Sequence, residues 1–186
     1  MTIFPKVAAW LDASASLVLP RTCEACGTNA DEGEGFCRDC GRRLLELLAR
    51  AYCPRCGDVL GEGLAPSEDG CFNCPPTPPR YGRIVRLTAY EDPVRRAIHR
   101  MKYSGRCRPP ARLCRLLAEA VTAGCEVREL DLVVPVPMYW LRRLGRGWNH
   151  STGLAGRLAT RLGLPLDEAL LRVRNTPPQV RLSRTG

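Results

Sequence analysis

The sequence predicts an α/β protein that begins with a cysteine-rich module. Four Cys-x-x-Cys pairs follow one another between residues 23 and 74, and a proline-rich run at residues 75–79 separates them from the remainder. Beyond that run, apolar residues first alternate with period 2 and then recur with helical spacing. The resulting order of strand, helix, helix, strand and helix is typical of α/β folds.

Residues 1–20 predict a short amphipathic helix, which we expect from about residue 6 to residue 19. Its apolar positions recur at helical spacing and are Val7, Trp10, Leu11, Ala15 and Val18. A proline, a lysine and an aspartate interrupt any signal-peptide core, and the segment is too short to span a membrane. We therefore expect no membrane span and a location in the reducing cytoplasm. Contact of this helix with a membrane surface is the alternative.

The cysteine pairs predict two zinc sites. Their members are Cys23 and Cys26, Cys37 and Cys40, Cys53 and Cys56, and Cys71 and Cys74. The two-residue gap lets both sulfurs of a tight turn face one ion, and a tetrahedral Cys₄ site needs two such turns. Three of the pairs are followed by a glycine, which permits the positive φ of a zinc knuckle. Because cysteines fill every coordination position, both sites should be structural.

Pairing of the first turn with the second, and of the third with the fourth, closes the shortest loops. Interleaved pairing is the alternative, and redox dithiols or iron–sulfur ligation are alternatives to zinc. Large apolar side chains are few in residues 21–79 apart from a leucine-rich helix expected at residues 42–50. Metal must therefore supply most of the stability of this module, and a strong chelator should unfold it. Its slightly acidic composition favours docking on a partner or on the second half over phosphate binding.

The second half carries most of the positive charge. The net charge of the 186 residues is +9, with −3 on residues 1–80 and +12 on residues 81–186. Such a field favours a polyanion or a phosphorylated substrate, and an arginine-rich surface that serves only solubility is the alternative. We expect a strand at residues 84–90, helices from about residue 93 to 103, 110 to 123 and 151 to 162, and a helical or turn segment near residues 167–171.

A short apolar run at residues 132–134 predicts a central strand that is buried on both faces. Pro135 and Pro137 stop this strand abruptly, and three arginines at positions 142, 143 and 146 follow. Ligands of open α/β sheets bind beyond the carboxyl ends of strands and beside helix N-termini, so an anion is the expected occupant. Trp140 and Trp148 flank the arginines and could stack on a nucleobase, although core packing is the simpler interpretation of Trp148.

Residues 131–137, Asp-Leu-Val-Val-Pro-Val-Pro, and residues 142–149, Arg-Arg-Leu-Gly-Arg-Gly-Trp-Asn, resemble the competence protein ComF family. Members of that family resemble type I phosphoribosyltransferases. The resemblance extends to the four cysteine pairs, to Met101-Lys102-Tyr103 and to the distal segment at residues 174–183. Beyond the amphipathic helix predicted within residues 1–20, it implies a double zinc ribbon at residues 21–79 and an incomplete type I phosphoribosyltransferase-like α/β domain at residues 80–186.

The resemblance also implies a set of phosphate-binding residues. In such proteins the proline-bearing loop contacts pyrophosphate and the distal segment belongs to a mobile loop over the site. The residues implied here are Pro135, Val136, Pro137, Arg146, Lys102 and Arg174. The sequence departs from the family in two respects: His150 stands where Gln is usual, and residue 186 comes before the acidic Thr-Gly-rich loop that binds the ribose phosphate. Mg²⁺ with phosphoribosyl pyrophosphate is therefore expected only in an intact relative, and we assign no catalytic residue.

The function implied by the resemblance is the handling of imported single-stranded DNA during natural transformation. Its partners would be single-stranded DNA or competence DNA-processing proteins. A phosphoribosyltransferase-type enzyme of nucleoside metabolism is one alternative. An inactive fragment, truncated before the phosphoribosyl pyrophosphate loop, is the other.

Overall fold

The computed structural model describes residues 22–30, 35–61, 63–77, 79–103 and 109–176. The helix expected within residues 1–20 and the distal part of the segment at residues 174–183 lie outside these ranges. The described helices are α1 (Arg38–Leu48), α2 (Val94–Tyr103), α3 (Ala111–Gly124), a 3₁₀ turn (Val127–Glu129), α4 (Trp140–Arg146) and α5 (His150–Leu162). In this part of the chain, every helix is too short or too polar to cross a bilayer.

The helix predictions are confirmed within a few residues for α2, α3 and α5. Helix α1 begins at Arg38, four residues earlier than expected, because Cys37 of the second cysteine turn is its N-cap residue. Helix α5 begins directly after Asn149, whose side-chain oxygen accepts a hydrogen bond from the backbone N–H of Ser151 at 3.1 Å. It ends at Gly163, which takes a left-handed φ of 70°. The helical or turn segment expected near residues 167–171 contains no helix.

The strand expected at residues 84–90 is wrong. The backbone N–H of Ile84 donates to the carbonyl of Pro54 at 2.6 Å, and the N–H of Arg86 donates to the Tyr52 hydroxyl at 3.4 Å. This segment therefore satisfies its donors on the third cysteine turn instead of on a neighbouring strand. Alternation of apolar residues is equally suited to a segment that packs one side on another element, so the pattern alone was not specific.

The central strand is reduced to a single parallel bridge between Val133 and Leu166. The N–H of Val133 donates to the carbonyl of Pro165 at 2.9 Å, and the N–H of Asp167 donates to the carbonyl of Val133 at 3.0 Å. Leu132 and Val134 are exposed, contrary to the expectation of burial on both faces. Within the described ranges the β structure consists of isolated bridges, so no further strand covers them.

One hydrophobic core joins the cysteine-rich module to the second half. From the module it takes Phe36 and Leu44 beside cysteines of the first quartet, and from α2 and α3 it takes Val94, Ala97 and Leu113. Phe36 and Leu44 are fully buried. Helix α3 also packs against α5. Because the segment that follows α5 bridges Val133, these two helices connect the loop after Val133 to the cysteine module.

Candidate metal centres

The eight cysteines gather into two quartets that follow the sequential pairing. The first contains Cys23, Cys26, Cys37 and Cys40, and the second contains Cys53, Cys56, Cys71 and Cys74. Within each quartet all four Sγ atoms lie within 4.8 Å of one another. The sulfurs of Cys26 and Cys37 are 3.6 Å apart, and those of Cys56 and Cys71 are 3.5 Å apart. A tetrahedral Zn²⁺ with bonds of about 2.3 Å needs sulfurs separated by about 3.8 Å, so both quartets could hold zinc.

The first and third cysteine turns are structural repeats that are 30 residues apart. Thr22 bridges Asn29 in the first, and Tyr52 bridges Val59 in the third. Each turn repeats the same hydrogen bonds: the N–H of Cys23 donates to the carbonyl of Thr28 at 2.6 Å, and the N–H of Cys53 donates to that of Asp58 at 2.9 Å. Gly27 and Gly57 follow the turns with φ of 83° and 78°, as the glycine positions predicted.

The second turn has a different construction. Gly41 is a helical residue of α1, so the positive φ expected from its position after Cys40 is wrong. Here the helix itself supplies the N–H groups: Cys37 is the N-cap, and the backbone N–H of Cys40 lowers the pKa of Cys37. A helix N-terminus favours negative charge, which suits a pair of thiolates.

Protonation differs within the first quartet. The hydroxyl and backbone N–H of Thr28 lower the pKa of Cys26 to about 6, and the hydroxyl oxygen lies 3.0 Å from Sγ. Burial raises the pKa of Cys40 above its ordinary value. Since the thiolate is the metal ligand, Thr28 favours the binding form of Cys26, whereas burial favours the protonated form of Cys40, whose proton is released when a metal binds.

Each repeated turn is covered by an arginine from the second half. The guanidinium of Arg100 lies so close to Gly27 that any side chain there would collide with it. At the third turn, Nη1 of Arg86 donates to the carbonyl of Gly57 at 2.7 Å. A zinc ion with four thiolates carries a net charge of −2, so a cation beside each turn offsets that charge.

A carboxylate of the first cysteine turn contacts the second half of the chain. Oε1 of Glu24, which lies between Cys23 and Cys26, accepts a hydrogen bond from the backbone N–H of Ala111 at 3.2 Å. Ala111 is the first residue of α3, and its N-cap residue, Pro110, makes no side-chain cap. Glu24 therefore satisfies one of the free N–H groups at the start of this helix.

The residues of the expected phosphate site lie on the loop after the Val133 bridge, on α4, on α2 and beyond Leu166. Pro135 is buried, Val136 is 70% exposed and Pro137 is partly buried, all directly after the bridge at Val133. Arg146 is the last residue of α4, and its side chain lies outside the described part of the chain. The proline loop and α4 are thus consecutive.

Lys102 and Arg174 lie elsewhere. Lys102 is exposed in the last turn of α2, the helix that packs on the first quartet. Arg174 is exposed beyond the Val133–Leu166 bridge, and its carbonyl accepts a hydrogen bond from Nε of Arg172 at 3.3 Å. Among the described residues, no hydrogen bond or ion pair joins either side chain to the proline loop, so their role in a phosphate site stays a prediction.

The sequence did not single out Arg86 or Glu24. Both act on partners that are distant in the chain, 29 residues away for the Arg86 bond to Gly57 and 87 residues away for the Glu24 bond to Ala111. A charged residue inside a predicted strand was the only available signal for Arg86. For Glu24 it was a charge between the two cysteines of one turn.

Comparison with known proteins agrees with this geometry. Residues 14–75 match the double zinc ribbon domain. The DNA utilization protein YhgH of Salmonella typhi is 33% identical over 153 residues, which cover 80% of this chain and 65% of the relative. Competence protein F of Haemophilus influenzae is 29% identical over 153 residues, covering 80% and 64%. YhgH of Escherichia coli K12 is 32% identical over 174 residues, covering 90% and 73%. No solved structure matches the chain.

The two quartets and the domain match define a double zinc ribbon protein. More specifically, the chain belongs to the family of competence protein F and DNA utilization protein YhgH, the ComF family that the sequence resembles. It spans less than two thirds of the length of the Salmonella and Haemophilus relatives.

Proposed function

We propose that this protein is a cytoplasmic competence factor that handles imported single-stranded DNA during natural transformation. Family membership carries this proposal, since the Haemophilus relative is named competence protein F and the Escherichia relative is named DNA utilization protein. The charge of +12 on residues 81–186 supports it. A cationic surface attracts a phosphate backbone whatever its base sequence, which suits a protein that meets DNA of any origin.

Helix α4 has the surface best suited to a DNA strand. The ring centroids of Tyr139 and Trp140 are 5.9 Å apart, and Trp140 is 56% exposed. Arg143 is exposed on the same short helix, where Nη1 lies 3.8 Å from the carboxylate of Glu168. Unpaired bases stack on exposed aromatic rings, and arginines bind the phosphates between them. The zinc ribbons would then be a structural support for this basic half.

We also propose that residues 80–186 form part of a type I phosphoribosyltransferase-like domain, joined to the helix at residues 1–20 and the zinc ribbon at residues 21–79. Support comes from the parallel pairing of Val133 with Leu166, which α5 connects, and from the buried Pro135 just after it. A parallel pair linked through a helix is the basic unit of α/β folds. The pyrophosphate group of phosphoribosyl pyrophosphate, with Mg²⁺, would be the ligand of the proline loop, and a phosphoribosyltransferase-type activity is the second candidate function.

The test is a fluorescence anisotropy titration of a labelled single-stranded oligonucleotide with zinc-loaded protein at several salt concentrations. We expect affinity to fall steeply with salt. The double substitution Arg142→Gln with Arg143→Gln should reduce the slope of log K against log salt by about 0.7 for each phosphate that an arginine no longer neutralises. Arg42→Gln, on the exposed surface of α1, is the matched control and should leave the slope unchanged.

Absence of binding by folded, zinc-loaded protein at low salt would overturn the DNA proposal. Competition by phosphoribosyl pyrophosphate with Mg²⁺ separates the two candidates. If the small molecule displaces the oligonucleotide, the proline loop and the DNA surface overlap. If it binds without displacement, the two sites are separate, and if it does not bind, the phosphoribosyltransferase-like candidate loses its ligand.

A further inference from the structure

An aromatic pair lies on the exposed face of α2. The rings of His99 and Tyr103 are 4.5 Å apart between centroids, and their planes meet at 43°. Both residues are exposed, and 62% of Tyr103 is accessible to solvent. Exposed aromatic rings can stack on unpaired bases, so this pair offers a stacking surface.

The buried face of α2 leaves this aromatic pair on the side of the helix that faces solvent. Val94, Ala97 and Met101 form the buried stripe of α2, and the first two belong to the core that the helix shares with the first cysteine quartet. His99 and Tyr103 are four residues apart and therefore neighbours on another face. Since α2 is held by its buried stripe, the two rings form a preorganised platform.

Positive charge lies along the same face. Arg95 and Lys102 occupy positions that are four residues before and three residues after His99, and both are exposed. Nε of Arg95 is 2.9 Å from the carboxylate of Asp92, which holds this guanidinium near the start of the helix. The stripe therefore places one cation before His99 and a second between His99 and Tyr103.

We propose that this stripe, formed by Arg95, His99, Lys102 and Tyr103, is a base-stacking contact for single-stranded nucleic acid. Unpaired bases expose faces that stack on aromatic rings, and the phosphates between them meet the cations. Bases of a duplex are already stacked inside it and cannot use such a platform without being extruded. A protein partner would need a larger apolar surface than two rings among charges. The inference deepens the proposed function and rests on it.

The experiment compares Tyr103→Leu with Tyr90→Leu. Tyr90 is 60% exposed, so the control removes an equally exposed ring outside α2. Each zinc-loaded protein is titrated with oligothymidine and with an abasic strand of the same length. We expect Tyr103→Leu to weaken binding of oligothymidine by about 5- to 150-fold, the range for the loss of one stacked base, and to leave binding of the abasic strand unchanged. Tyr103→Phe, which keeps the ring, should bind as the unaltered protein does.

The titrations test the stacking stripe and the DNA-binding function separately. If the unaltered protein binds oligothymidine and Tyr103→Leu binds it equally well, the stacking stripe is wrong and the DNA function stands. An equal loss for the oligothymidine and the abasic strand would also overturn stacking, since the abasic strand has no base to stack. If the unaltered protein binds neither strand, the DNA function itself fails. Circular dichroism and zinc content establish that each variant is folded.

Discussion

The guanidinium of Arg86 lies over the ring of Tyr52, with 4.9 Å between Cζ and the ring centroid. Its Nη1 atom also donates to the carbonyl of Gly57 in the third cysteine turn at 2.7 Å. Burial lowers the pKa of Arg86 from its ordinary value, which nevertheless leaves the side chain charged at neutral pH. One residue of the second half thus holds both ends of the turn that begins the second quartet.

Arg86→Gln should therefore destabilise the second quartet. Loss of the cation–π contact and of a charge-assisted hydrogen bond should lower the free energy of unfolding by about 2 kcal/mol. Zinc should also leave the second quartet of the variant faster than that of the unaltered protein, as measured with a chromophoric chelator. Arg80→Gln, at an exposed position before the same segment, is the control. Equal denaturation midpoints and release rates for the two variants would show that Arg86 does not support the site.

The metal centres could be predicted from the sequence because their signal is local. A Cys-x-x-Cys turn brings two ligands together within four residues, and the sequential pairing needs only short loops. The strand expected at residues 84–90 depends on a partner elsewhere in the chain, which no local pattern identifies. The segment instead pairs Ile84 with Pro54, so its alternation reflects contact with the cysteine module.

The same distinction applies to the expected phosphate site. The proline loop and α4 follow one another in the chain, so the sequence alone predicts that they are neighbours. Whether Lys102 approaches that loop depends on how α2 packs, and its buried stripe fixes it on the first quartet. Tertiary packing, which the sequence pattern does not encode directly, decides which predicted residues can share a ligand.

Gly70→Ala should damage the second quartet selectively. Gly70 has a φ of +97°, and an added Cβ would lie 2.6 Å from Sγ of Cys74. The methyl group must displace this ligand, so we expect zinc content to fall from two ions to one per chain and unfolding to begin in the second quartet. Mass spectrometry under native conditions measures the zinc content directly.

Gly63→Ala is the matched control for that substitution. Gly63 also has a positive φ, +77°, but an added Cβ there meets no atom within 4 Å. The backbone penalty of about 1–3 kcal/mol is therefore shared, and only Gly70→Ala adds the collision with the ligand. If Gly63→Ala loses zinc to the same extent, backbone strain and not ligand displacement explains the effect.

Removal of zinc should unfold more than the cysteine module. Apparent binding free energies of structural zinc are on the order of 10–16 kcal/mol, which is more than the small core of residues 21–79 can replace. Because Phe36 and Leu44 share their core with Val94, Ala97 and Leu113, loss of the first quartet should also expose α2 and the start of α3. Hydrogen exchange read by mass spectrometry, before and after a strong chelator, follows each helix separately.

In that experiment, added Zn²⁺ should restore protection in α1, α2 and α3, and added Mg²⁺ should restore none, because thiolates are soft ligands. Helix α5 packs on α3 and, among the described residues, contributes none to the core shared with the first quartet, so it should lose protection last. Full protection of α2 in chelated, metal-free protein would mean that the second half is stable without the zinc module.

Glu24→Gln should weaken the attachment of α3 to the first cysteine turn. The carboxylate accepts a hydrogen bond from Ala111 at the helix N-terminus, where negative charge is stabilising. The amide keeps the size and the acceptor but removes the charge, so we expect a loss of about 0.5–1 kcal/mol in the free energy of unfolding at low salt. At about 1 M salt, where the Debye length is about 3 Å, the difference should shrink.

Glu119→Gln, which removes a carboxylate 4.0 Å from Arg115 on the exposed side of α3, should cost less than about 0.5 kcal/mol. A Glu24→Gln effect that is the same at both salt concentrations would assign the role of Glu24 to packing instead of to the charge at the helix end.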